Sequence, residues 1–187
     1  MFNESKVTHM AAYLLKKAEE FTLPHLKLMK LLYLAERRSY LEHGYGISDD
    51  TLVSMPYGPV LSSTLNLMNG ELGRERVWQA YISDKADHKV SLVNADIMIE
   101  DLDELSQSDR KILDEVWAQF KDFSQFELSN YTHDPKNCPE WEDPNGSSFP
   151  IDLKRLFASE GRTPEQVAIL AYQVQTQRNL ETMFNRH

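Results

Sequence analysis

The stretch "HLKLMKLLYLAERRSYLEHG", His25 to Gly44, decides the fold class. At roughly 100° per residue, Leu28, Met29, Leu31, Leu32, Tyr33, Ala35 and Tyr40 cover a wide apolar arc, while Lys27, Lys30, Arg37 and Arg38 share a narrower one. An apolar arc that wide needs cover on several sides, which predicts a central helix in a helical protein. Thr22 is placed to cap this helix, Pro24 suits its first turn, and Gly44 is a natural C-terminal stop. Glu36 falls inside the apolar arc, close to Ser39 and His43. An ionised carboxylate removed from water is costly unless paired or hydrogen-bonded. A histidine, a tyrosine or a backbone N–H is therefore expected to reach Glu36, at a solvent channel ending the core or in a dedicated polar cluster.

Outward from this helix the helical period continues. Val7, Met10, Ala11, Leu14, Leu15, Ala18 and Phe21 recur at three and four, predicting an amphipathic helix over Ser5–Phe21. "MPYGPVLSS", Met55 to Ser63, has one glycine and no lysine, so it is no phosphate-cradling loop. It reads as a turn with Pro59 opening a helix that carries Leu61, Leu65 and Met68 to a stop at Asn69-Gly70. "RVWQAYISD" and "HKVSLV" are rich in β-branched and aromatic residues and predict a hairpin, with strands confined to Val77–Ser83 and Lys89–Val93. Ser106 or Ser108 caps a helix bearing Ile112, Leu113, Val116, Trp117 and Phe120, and another segment follows Ser124. Residues 134–150 read as a loop, and "DLKRLFASEG" as a short helix. Thr163 to Gln166 form a capping box for a last helix over 163–184, marked by Val167, Leu170, Ala171, Val174, Met183 and Phe184. The fold class is mainly α: one domain over 1–187, a helical bundle-like fold with a small antiparallel β-hairpin.

Composition narrows the function. No apolar run approaches the ~20 residues of a membrane span, since Lys27 and Lys30 interrupt the densest one. The polar start "MFNESKVTHM" lacks the apolar core of a secretory signal, so the expected location is the cytoplasm. A net charge of −9 argues against nucleic acid as a partner. The single cysteine, Cys138, excludes an intrachain disulfide and argues against a cysteine-based zinc site. The six histidines are scattered without an H-E-x-x-H pairing, and no metal site or cofactor is expected. Cys138, between Asn137 and Pro139, reads as an incidental thiol, and no catalytic residue is assigned.

"LKLMKLLYLA" (Leu26 to Ala35), "YGPV" (Tyr57 to Val60) and "LSNYTH" (Leu128 to His133), followed by Pro139 and Trp141, resemble in this order the signatures of the Panacea domain. The resemblance covers 26–141. That family includes SocA-like and phage-associated proteins, many of them antitoxins of toxin–antitoxin gene pairs. The resemblance implies an antitoxin, not an enzyme, that binds and neutralises a cognate toxin protein. Its alternatives are a proteolytic adaptor, with a protease as second partner, and a hydrolase built around Glu36, Tyr57 and His133. Lys27, Lys30, Tyr33 and Glu36 on the central helix are candidate motif or partner-binding residues. So are Tyr57, Gly58 and Pro59, and, further along, Ser129, His133 and Trp141. Glu36, Tyr57 and His133 are expected to converge on one interior site. The oligomeric state is left open.

Overall fold

The computed structural model describes residues 2–72 and 76–184; residues 1, 73–75 and 185–187 of the expected domain lie outside them. Its first helix, α1 (Glu4–Lys17), starts where the Asn3 side chain accepts the Lys6 N–H at 2.9 Å. A short 3-10 turn, Glu19–Phe21, leads into strand β1 (Thr22–Pro24). Helix α2 (His25–His43) follows and ends on Gly44, whose φ of 80° and N–H bond to the Tyr40 carbonyl terminate it. As its composition demands, α2 is central, packing against α1 and against several helices later in the chain. Its lysine arc is covered as well, so that Lys27 and Lys30 are buried beside the leucines, as is Glu36 on the apolar arc.

Strands β2 (Leu52–Ser54) and β3 (Val60–Leu61) form a small antiparallel hairpin, with Val53 opposite Val60 and the loop Met55–Pro59 at its tip. Helix α3 (Ser62–Asn69) follows directly and stops at Gly70. Its N-terminus is capped from a distance: the buried Asp50 carboxylate accepts the N–H groups of Ser63 and Thr64 at 2.9 and 2.8 Å. After it come α4 (Val77–Tyr81), β4 (Lys89–Ser91) and a 3-10 turn at Ile99–Asp101. Helix α5 (Gln107–Phe120) is capped by Ser106 and α6 (Gln125–His133) by Ser124. Strand β5 (Phe149–Pro150), α7 (Leu153–Ala158) and α8 (Pro164–Phe184) complete the described chain. Strand β2 lies between β3 and β5 in an antiparallel three-stranded sheet, and β1 pairs antiparallel with β4.

The mainly α fold with a small hairpin is what the periodicity predicts, but the hairpin is elsewhere. Val77–Tyr81 is helical, because Trp78 and Ile82, four apart, are both buried and Glu4 from α1 accepts the Trp78 N–H at 3.3 Å. A carboxylate at a helix start outweighs the β propensity of valine, tryptophan and tyrosine. Only the bridges Ile82–Leu92 and Ala86–Lys89 remain of the expected strand pair, and β4 joins β1 instead. Thr22 is a strand residue, its hydroxyl 2.7 Å from that of Ser91, and does not cap α2. Pro59 precedes a strand and not a helix. In α8, Met183 is exposed, and the Phe184 side chain lies outside the described residues.

Candidate functional site

The loop Met55–Pro59 is where the sequence motifs meet. It turns tightly, with the Gly58 N–H donating to the Met55 carbonyl at 2.9 Å and Gly58 at a φ of 86°. Four side chains from distant elements then hold its main chain. Trp141 Nε1 donates to the Met55 carbonyl at 3.2 Å, and His133 Nε2 lies 3.1 Å from that of Pro56. Ser129 Oγ donates to the Tyr57 carbonyl at 3.3 Å, and Lys30 Nζ to that of Pro59 at 3.0 Å. His133 Nδ1 is 2.6 Å from the Ser129 carbonyl, so both of its ring nitrogens face main-chain acceptors, and its ring stands edge-on to Trp141 at 4.5 Å. A Cβ on Gly58 would lie 2.7 Å from Lys30 Nζ and 2.8 Å from Thr132 Oγ1, so any other residue must displace these side chains.

Beneath the loop, a buried charge cluster fixes residues 138–141 on α2. The Glu140 carboxylate accepts from Tyr33 Oη at 2.5 Å and from Arg37 Nε and Nη2 at 2.7 and 3.3 Å. Such a pair is held by its geometry and costs stability when one partner is removed. Cys138 is also buried, and burial followed by the nearby Glu140 pushes its thiol up to about 12, which makes it inert. Lys30 is fully buried, and loss of water brings its ammonium down to about 7. Lys27 Nζ donates to the Lys121 carbonyl at 2.5 Å, tying α2 to the end of α5.

Glu36 belongs to a different place. Its carboxylate is buried and accepts N–H groups of Ile47 and Ser48 at 3.1 and 3.0 Å, and desolvation raises its pKa to about 7 against those bonds. Gly46 closes over it so tightly that a Cβ would lie 2.3 Å from Oε1. The partner is a backbone N–H, one of the three expected kinds. The expected convergence does not occur: His133 meets the main chain around Tyr57, but no hydrogen bond links Glu36 to either residue among the described residues. The three side chains therefore do not assemble the constellation that a hydrolase built on them requires.

The Tyr57 side chain points away from all this and is 77% exposed; Phe126 on α6 is 67% exposed. Both line a groove of about 840 Å³ together with His25, Leu26, Pro56 and His133. Among the described residues, no group of three or more His, Cys, Asp or Glu side chains is placed to hold a metal ion. Sequence reading missed Phe126, Glu140 and Asp50. The signal for Phe126 was present, since it lies out of phase with the buried Leu128 on the same helix. Nothing local marked Glu140, whose partners are more than a hundred positions away.

Comparison with known families matches residues 28–142 to the family described as "Antitoxin SocA-like, Panacea domain". Comparisons with the curated proteins and with the solved structures returned no match.

Proposed function

The chain belongs to the family of SocA-like antitoxins with the Panacea domain, and from that premise we propose that it binds and neutralises a cognate toxin protein. The observation that carries this reading is the clamped loop. Lys30, Ser129, His133 and Trp141 direct their polar atoms at the main-chain carbonyls of Pro59, Tyr57, Pro56 and Met55 and leave the Tyr57 side chain displayed to solvent. A hydrolase would need those same groups turned toward a substrate, with a nucleophile and a base in reach of each other. Here both nitrogens of His133 lie against main-chain carbonyls and the one thiol is buried. A rigid loop presenting an exposed aromatic suits recognition of a protein surface, where tyrosine is enriched. The net charge of −9 supports a protein rather than a nucleic-acid partner.

The protein is read as acting in the cytoplasm on a toxin made there, without cofactor or turnover. No described helix is long and apolar enough to cross a membrane. Co-expression with the toxin encoded beside it tests the reading: growth is restored, the two proteins copurify, and toxin abundance is maintained. A protease-dependent fall in toxin abundance, with no stable complex, replaces neutralisation by binding with delivery to a protease.

A further inference from the structure

We infer that the groove between Tyr57 and Phe126 receives a short extended segment of the toxin carrying one or two large, uncharged apolar side chains. This rests on the toxin-binding reading and adds where the toxin is held and by what chemistry. Four segments wall the groove: the hairpin loop with Pro56 and Tyr57, the exposed face of α6 with Phe126, His88 just before β4, and the start of α2 with His25 and Leu26. The last wall is fixed to the β1–β4 pair, since the His25 N–H donates to the His88 carbonyl at 2.9 Å and His25 Nδ1 lies 2.8 Å from the same oxygen. With the clamp on the hairpin loop, the recess is formed before anything enters it, which reduces the ordering cost of binding.

Charge selects the occupant. No aspartate, glutamate, lysine or arginine is found among the lining residues described, although 26% of the chain is charged. A charged side chain pushed into this recess would lose water and meet no carboxylate, ammonium or guanidinium, only the imidazoles of His25, His88 and His133, whereas an apolar one is matched by leucine, proline and two aromatic rings. The polar lining residues Gln125 and Asn130 stand on successive turns of α6. Carboxamides both donate and accept, so they match the unpaired N–H and C=O groups of an extended segment; a helical segment has already paired its own. The volume lies within the ~300–1,000 Å³ typical of ligand-sized recesses.

The test uses the full chain and the toxin encoded beside it. Phe126→Asp and Tyr57→Asp should each weaken toxin binding by at least about tenfold and abolish rescue, with the melting temperature unchanged because both side chains are mostly exposed. Phe126→Leu should retain binding. Gln125→Glu and Gln125→Lys discriminate further: both should weaken binding, and strengthening by either sign overturns an uncharged occupant. On an array of overlapping toxin peptides, the bound peptides should share a large apolar residue without an adjacent charge. Binding and rescue that survive Phe126→Asp overturn the groove while leaving the antitoxin reading intact. A wild-type chain that neither rescues nor copurifies overturns both. A toxin-free dimer that Phe126→Asp splits gives the groove to a second copy of this chain and overturns the proposal.

Discussion

Glu36 and Lys30 show how a buried charge is tolerated in two different ways. Glu36 is stabilised by the Ile47 and Ser48 N–H groups but is desolvated more than they compensate, so its pKa rises from 4.5 to about 7. The native state thus holds the proton more tightly than the unfolded chain does. The stability this contributes is fully present below pH 4.5 and is lost as pH rises toward 7, an effect of about 3 kcal/mol. Lys30 is depressed from 10.5 to about 7, so its contribution is present above 10.5 and lost as pH falls through about 7. Urea unfolding across pH should therefore show Glu36→Gln removing the dependence between 4.5 and 7. Lys30→Met should remove that between 7 and 10.5, with a constant loss of roughly 1–3 kcal/mol for the unpaired Pro59 carbonyl. Glu36→Gln is expected to be milder than Glu36→Ala at every pH, because the amide keeps one oxygen toward the 47–48 loop. Strictly unchanged pH profiles in both variants would refute these assignments.

Among the elements, the β2–β3 hairpin carries the site, and its loop is shaped by neighbours rather than by its own residues. Gly58 and Gly70 make the contrast measurable. Both sit at positive φ, 86° and 72°, but a Cβ at Gly58 would strike Lys30 and Thr132, while at Gly70 it would meet nothing within 4 Å. Gly70→Ala should thus cost only the conformational strain, roughly 1–2 kcal/mol. Gly58→Ala should cost roughly 2–4 kcal/mol, since overpacking adds to that strain. Chemical denaturation of the two variants, side by side, reads the difference directly; equal losses would mean that the loop yields freely and that the clamp is weak. The Ser124 cap belongs to the same scale. Its hydroxyl and the Glu127 carboxylate exchange N–H bonds at 3.2 and 2.7 Å and start α6, the helix that contributes Phe126, Ser129 and His133.

For the whole molecule, α2 is the common wall. It packs against helices α1, α3, α5, α6 and α7 and against β1 and β3, and the buried apolar residues form a cluster extending from Val7 on α1 to Val174 on α8. No helix can leave without uncovering part of it. Thermal unfolding should accordingly be one cooperative transition, coincident by far-ultraviolet circular dichroism and tryptophan fluorescence. Trp78, Trp117 and Trp141 lie in α4, in α5 and beside the clamped loop, so the fluorescence reports on three separate regions. An early fluorescence change with the circular dichroism intact would identify the loop as an independent unit.

Apart from α4, the sequence alone determined the helices, because helical periodicity, serine and threonine caps and glycine stops all act over a few residues. The end of α3 at Gly70 and the starts of α6 and α8 at Ser124 and the Thr163 capping box are legible without knowing what surrounds them, and the start of α5 to within the choice of Ser106 or Ser108. It also revealed the motif residues Lys30, Tyr57, Gly58, Pro59, Ser129, His133 and Trp141, but not what they do together. Only tertiary structure decided that they clamp a single loop and that Glu36 stands apart from them. Tertiary structure likewise turned Val77–Tyr81 into a helix by supplying Glu4 from α1. The physical reason is the range of the interactions. The partner of β1 and the counter-ion of the buried Glu140 are separated from them by tens of residues, 103 between Arg37 and Glu140. Such pairs acquire their energy only when the folded chain brings them into contact and removes the water between them.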